Sequence, residues 1–268
     1  MLYREVAPPP PLDGFVKCLW ILEGPAPPPG APADEIVPDG CPEIVFHHGD
    51  AFERIDGGLR GAQHRAAVVG QIEAPLAVRP TGRIGLLGVR FRPEGAAAIL
   101  GVPAGEITAR SLALDDLWGA DGRRLEERVG SARDAGARLA AAASGLVARA
   151  RVARRPERSR AAVDLCRRTR GTASVDDLAR AAGVSGRHLE RLFRDEVGLP
   201  PKTLSRILRF RAALTLLKRG APGGPAGVAI DLGYADQAHL HRDFREFAGA
   251  PPGAFLRRPA GVADPFNS

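Results

Sequence analysis

The sequence predicts an α+β fold: an amino-terminal, mainly antiparallel β domain with flanking helices, then an all-α domain in which two related helical units are joined by a long helix. Three observations carry this. Over the first hundred residues, short β-branched and aromatic runs alternate with proline- and glycine-rich breaks. Beyond Arg158, apolar residues recur at helical spacing. Finally, HLERLFRDEVGLPP (His188 to Pro201) returns 51 residues later as HLHRDFREFAGAPP (His239 to Pro252), identical at eight of fourteen positions.

FVKCLWIL (Phe15 to Leu22), EIVFHH (Glu43 to His48), AAVVGQI (Ala66 to Ile72) and IGLLGVRF (Ile84 to Phe91) read as strands. Between them lie PAPPPGAPAD, PDGCP and IDGG, where proline fixes φ and glycine permits a positive φ. PEGAAAILG, after Pro93, is a short helix, and Ala-, Leu- and Arg-rich helices from Leu112 to about Val152 pack on the β domain or on a partner subunit. The expected boundaries are 1–150 for this domain, 151–157 for a charged linker broken by Pro156, 158–258 for the helical domain and 259–268 for a tail. Within the helical domain, Arg158 to Arg170 places Ala162, Val163, Leu165 and Cys166 on one stripe. VDDLARAA (Val175 to Ala182) follows an N-cap at Ser174, with Asp176 and Asp177 where the helix dipole favours acids. The long helix, Pro201 to Arg219, carries Leu204, Ile207, Leu208, Leu214 and Leu217 and stops at Gly220.

With 268 residues, 44% apolar and 26% charged, the chain can bury two cores. No basic leader with an apolar run opens it, and no apolar stretch approaches the roughly 20 residues of a membrane helix, so a cytoplasmic protein without membrane partners is expected. Cys18, Cys41 and Cys166 are odd in number and widely spaced. They suit neither a disulfide framework nor a thiolate zinc site, and buried free thiols are expected. Charge is unevenly placed: residues 1–150 hold 16 basic and 19 acidic residues, whereas residues 151–260 hold 22 and 11. A basic domain is what a phosphate-binding surface needs.

Each copy of the repeated segment follows a short helix and a glycine turn, LARAAGVSGRHLERLF and VAIDLGYADQAHLHRDF, with Ala179 and Ala229 four residues before Gly183 and Gly233. This is a helix-turn-helix pattern: a small residue where two helices cross, glycine in the turn, a polar start to the second helix. Leu189 and Phe193, and likewise Leu240 and Phe244, give that helix one buried face. Packing accounts for the shared Leu, Phe, Gly and Pro. It does not account for the matching pairs Arg191 with Arg242 and Arg194 with Arg245, which suit phosphates or guanine edges.

On these motifs, residues 158–258 resemble the AraC/XylS family DNA-binding domain, two helix-turn-helix units joined by a long helix. GYADQAHLHRDFREFAGAPPGAF is its most specific stretch. The resemblance implies a sequence-specific transcription regulator on double-stranded DNA, with RNA polymerase as partner where it activates. Carried over by position, Arg187, Glu190 and Arg191 read bases in the first unit, Gln237, His239 and Arg242 in the second, and Arg194 and Arg245 contact phosphate. Arginine can fork onto guanine, glutamine can pair with adenine and glutamate can accept from cytosine. The copies differ: glycine to leucine spans six positions in the first and seven in the second, and the second unit is entered through GAPGGPAGVAIDLG, short of helix formers. Different half-site sequences are expected.

PDGCPEIVF, GVRFRPEGAAAILGVPAGEIT and LALDDLWG resemble the amino-terminal domain of a subset of these regulators. That resemblance implies sensing of a small-molecule effector or self-association as a homodimer. Trp20, Asp39, Cys41, Glu43, Phe46 and Arg90 are candidate pocket residues, aromatic or polar and within or beside strands. Core packing and turn formation are the commoner reasons for such residues, with Asp39 and Gly40 as the turn before Glu43. No metal site is expected, because adjacent His47 and His48 point to opposite faces of a strand. No nucleophile-and-base pair or phosphate-binding glycine loop supports an enzyme or a cofactor. An alkyl-transfer repair protein would need four zinc-binding thiols, which Cys18 and Cys41 do not supply. A domain that only dimerises is the second reading.

Overall fold

The computed structural model describes residues 1–28, 30–56, 59–258 and 261. Ten strands occupy the amino-terminal part: β1 (Leu2–Val6), β2 (Val16–Gly24), β3 (Asp34–Ile36), β4 (Glu43–His47), β5 (Phe52–Asp56), β6 (Leu59–Ala62), β7 (Ala66–Val69), β8 (Leu76–Pro80), β9 (Ile84–Phe91) and β10 (Ser111–Ala113). They form a six-stranded sheet ordered β1-β2-β9-β4-β7-β10 and a four-stranded sheet ordered β3-β8-β5-β6, every pairing antiparallel.

Strand alternation gives the large sheet two buried faces. Leu19, Ile44, Phe46, Val68, Leu87 and Val89 point to a core shared with helices α1 (Ala96–Leu100), α3 (Leu114–Trp118), α4 (Ala120–Ser131) and α5 (Ala135–Val152). Cys18, Trp20, Leu22 and Leu86 point to the small sheet, where Phe52, Leu76 and Val78 meet them. A strand covered on both faces reads as a continuous apolar run, and IGLLGVRF of β9 is buried at all eight positions. Gly88 within it makes room for Trp20: a Cβ there would lie 2.0 Å from the indole.

A short helix, α2 (Ala104–Ile107), precedes β10, and residues 153–156 lead from α5 to the helical region. There follow α6 (Glu157–Arg168), α7 (Val175–Ala182), α8 (Gly186–Leu192) with a π-helical turn at Phe193–Val197, α9 (Pro201–Lys218), α10 (Gly224–Asp231), α11 (Gln237–Ala248) and α12 (Pro252–Leu256). Their core is one cluster running from Ala162 to Phe255, with α9 at its centre through Leu204, Ile207, Phe210, Ala213 and Leu214. Phe210 meets the rings of Phe244 at 4.9 Å and Phe247 at 5.5 Å. The same cluster includes Val37, from the amino-terminal part. Among the described residues, no helix is long and apolar enough to cross a membrane.

The four expected strands are present, with one cut well short: the segment expected to reach Ile72 ends at Val69, because Gly70 lies against Ile107, where a Cβ would sit 1.9 Å from the carbonyl oxygen. The helix expected from Arg158 begins at Glu157, behind Pro156.

Candidate nucleic-acid interface and ligand cavity

The two helical units close their turns and cap their second helices alike, but only the first unit caps its first helix with a side chain. α7 starts at a capping box in which the Ser174 hydroxyl accepts from the Asp177 N–H at 3.1 Å and Asp177 accepts from the Ser174 N–H at 3.1 Å. It ends at Gly183, φ 64°, where the Val184 N–H reaches back to the Ala179 carbonyl at 3.1 Å. α10 closes in the same way: Gly233 has φ 65° and the Tyr234 N–H donates to the Ala229 carbonyl at 2.9 Å. The two alanines therefore pair as expected, each buried and each accepting the bond that closes its turn.

The second helix of each unit is also capped: Ser185 accepts from His188 N–H at 3.3 Å, and Asp236 accepts from His239 N–H at 2.6 Å. Counted from these caps, Leu189 and Leu240 stand at the same offset, as do Phe193 and Phe244, all four fully buried. The residue that lengthens the second copy thus falls in the turn before Asp236, and α8 and α11 keep one register from cap to core.

On the outward face of α8 and its extension, Arg187, Glu190, Arg191 and Arg194 are all exposed and border a shallow groove with His188 and Pro200. On α11, Gln237, Arg242 and Arg245 are exposed. His239 is only half-exposed, its ring edge-on to Tyr234 at 5.1 Å, and Gln237 lies 3.3 Å from the ring nitrogen of His241.

The units are braced differently. Asp243, 1% exposed, takes two hydrogen bonds from Arg206 of α9, at 2.7 and 3.2 Å, while Glu246 takes two more at 2.5 and 2.9 Å. The Glu246 hydrogen bond leads in holding the Arg206 guanidinium above its usual pKa. In the first unit the residue matching Asp243 is Leu192; the π turn is held within its own domain by Ser159 of α6, which donates to Glu196, and from outside by the amino-terminal domain. There Thr108 Oγ1 donates to the Gly198 carbonyl at 2.7 Å and Gln71 Nε2 to the Val197 carbonyl at 3.1 Å. Gly198 has φ 84° and faces Thr108 and Ala104 at the closest approach.

Between the two sheets lies a cavity of about 80 Å³. Five of the six expected pocket residues, Trp20, Asp39, Cys41, Glu43 and Arg90, line it. Phe46 does not. On β4 the side chains alternate, so Glu43 and Val45 face the cavity whereas Ile44 and Phe46 pack among the helices on the other side. Glu43 stands opposite Arg90 in the β4–β9 register and accepts a hydrogen bond from its Nε. Asp39 is 3.7 Å from the same nitrogen. Burial opposes the Arg90 charge, but Glu43 and Asp39 outweigh it and hold the guanidinium above its ordinary pKa. Burial raises Glu43 against the pull of Arg90, and pushes the Cys41 thiol up to about 12.

Three further side chains belong to this region and were not singled out from the sequence. Gln63 lines the cavity. Gln71, 1% exposed, donates to the Gly40 carbonyl at 2.9 Å as well as to Val197. Arg211 of α9 is set among Asp39, Cys41 and Arg90; burial lowers its pKa and Asp39 opposes that. His47 ends β4 with its ring 5.5 Å from that of Phe52, and His48, just beyond the strand and not within it as expected, lies 3.8 Å from Glu23. Among the described residues no group of three or more His, Cys, Asp or Glu side chains could hold a metal ion.

Comparison with known proteins divides the chain along similar lines. Residues 178–258 match a family described as a helix-turn-helix domain, and residues 4–113 match one described as a domain of unknown function, DUF6597. The HTH-type transcriptional regulator GlxA of Rhizobium meliloti (strain 1021) is 37% identical over 81 residues, 30% of this chain and 25% of that protein. The HTH-type transcriptional regulator MtrA of Neisseria gonorrhoeae is 27% identical over 84 residues, 31% and 28% of the two chains. The chain thus spans about a quarter of the length of these curated relatives. Among solved structures, an AraC-type DNA-binding domain protein of Chromobacterium violaceum matches at 26% identity and TM-score 0.36, over 39% of this chain and 96% of that one. ToxT of Vibrio cholerae matches at 11% identity and TM-score 0.49, over 91% and 99%.

Proposed function

We propose that the protein is a sequence-specific DNA-binding transcription regulator of the AraC type whose amino-terminal domain is controlled by a small molecule; the matches of residues 178–258 to a helix-turn-helix domain and of residues 4–113 to the DUF6597 domain support this reading. The observation that carries the DNA-binding reading is the matched pair of capped helices, each presenting exposed arginines at the same offsets: Arg191 with Arg242, and Arg194 with Arg245. α8 and α11 enter the major groove. Arg187, Glu190 and Arg191 read one half-site, Gln237, His239 and Arg242 the other, and Arg194 and Arg245 grip phosphates. α9, with 18 residues, is about 27 Å long, of the order of the roughly 34 Å between successive major grooves.

Control by a small molecule is supported by the cavity wall. Val37, Asp39 and Cys41 line the cavity, while Val37 also belongs to the core around α9. Gly40, at φ 76°, lies so close to Leu204 of α9 that a Cβ would approach its methyl to 2.8 Å. Gln71 joins the Gly40 carbonyl to that of Val197, at the exit of the first recognition helix. An occupant that moves this loop moves the first unit.

Footprinting on genomic DNA identifies the operator, and binding is then measured on it. Arg191→Ala and Arg242→Ala each weaken specific binding by about 1 to 3 kcal/mol and relax preference at different operator positions. Unchanged selectivity in both, with selectivity lost in Arg194→Ala, would overturn the assignment of base-reading and phosphate roles.

A further inference from the structure

The cavity between the sheets has mostly apolar walls, including Trp20, Val45, Phe52, Leu76, Val78 and Leu86, with Gln63 beside Phe52 and one charged pole. At that pole the charges are matched two against two, Arg90 and Arg211 facing Glu43 and Asp39. Arg90, 6% exposed, donates to Glu43 and lies within ion-pair distance of Asp39 on the same nitrogen. The Cys41 thiol, neutral where it is buried, adds no charge. An anion entering this space meets two carboxylates, and a cation meets the Arg90 guanidinium. Either gains a partner only by breaking a buried pair, which weakens its binding. A neutral hydroxyl or carbonyl hydrogen-bonds to the same groups and leaves the pairing intact. The space of about 80 Å³ is several times what one water requires, which sets the scale of the occupant at a short alcohol.

We propose that the cavity takes a small uncharged molecule, apolar over most of its surface, with a single hydroxyl- or carbonyl-type end seated against Asp39, Glu43 and Arg90. This rests on the reading of the amino-terminal domain as ligand-controlled and adds the class of ligand. The space between Val45 and the small sheet receives the apolar part. Ala67, paired with Val45 across β4 and β7, sets the room available there.

The test uses the full chain and three probes of similar length and different charge: 1-butanol, butyrate and butylammonium. Trp20 is one of two tryptophans, so its indole N–H resonance is assigned by the loss of the other in Trp118→Phe and then followed in the unmodified protein. 1-Butanol shifts that resonance saturably, and the two charged probes bind weaker by about tenfold or more. Ala67→Leu, or Val45→Leu as a second filling variant, abolishes the response. A charged probe binding as tightly as 1-butanol would overturn the ligand class while leaving ligand control standing. No saturable response to any probe would overturn both. The DNA-binding reading is tested separately at Arg191 and Arg242.

Discussion

The two helix-turn-helix units share the cap of the second helix, turn closure and core, yet they are tied to different parts of the molecule. The second is fastened within its own domain, by the fork of Arg206 onto Asp243 and Glu246. The first is fastened across the domain boundary, by Thr108 and Gln71 onto the backbone of Val197 and Gly198. The second unit also touches the amino-terminal domain, through the Arg258–Glu35 ion pair and the approach of Gly249 to Glu35, but at its periphery and beyond its recognition helix. A duplicated fold is therefore tied in two ways without changing its scaffold: the second unit to its own domain, and the first also to the segment beside the cavity, which makes it the unit that the proposed ligand control would act on.

The largest expected effect is at the tie of the second unit. Arg206→Met leaves Asp243 buried without its cation and destabilises the helical domain by about 3 to 5 kcal/mol, read from denaturant unfolding. A loss no greater than that of a surface pair, about 1 kcal/mol or less, would mean that the second unit is not anchored this way. Next come the caps. Ser185→Ala and Asp236→Ala each remove one capping bond from a recognition helix and cost about 0.5 to 2 kcal/mol. If the two units are built alike, the two losses are similar. A cap that matters in only one unit would break the equivalence on which the common register rests.

What sequence reasoning reached and what it missed follow from how far apart the interacting residues lie. Ser174, Gly183, Gly233 and the Leu and Phe of each repeat act within a few residues of themselves, so their pattern is visible in the chain. The four apolar strands were legible for the same reason. β1, β3, β5, β6, β8 and β10 were not: LYREV, DEI, FERID, LRGA and LAVRP mix charges with apolar residues in short segments, and SLA is a three-residue strand at Leu112, where helices were expected to begin. The length difference between the repeats was visible, but not that it falls in the turn and spares the helix. Five cavity residues were found by chemical type, and Phe46 was misplaced because type was used without the phase of the strand. Gln71 and Thr108 were missed altogether: their partners lie 126 and 90 residues away, and nothing in their neighbourhoods marks them.

The smallest expected effect is the most informative about coupling. Thr108→Val keeps the shape of the side chain and removes the hydroxyl that donates to the Gly198 carbonyl, a bond worth about 0.5 to 1.5 kcal/mol net. Global stability changes by no more than that. The consequence is local: amide exchange around the π turn, Phe193 to Leu199, quickens by about two- to tenfold, while exchange in α11 stays as it was. Equal quickening in both units would mean that Thr108 supports the helical domain as a whole. A change confined to the first unit makes the contact between Thr108 and Gly198 part of the route by which the amino-terminal domain governs one recognition helix and not the other.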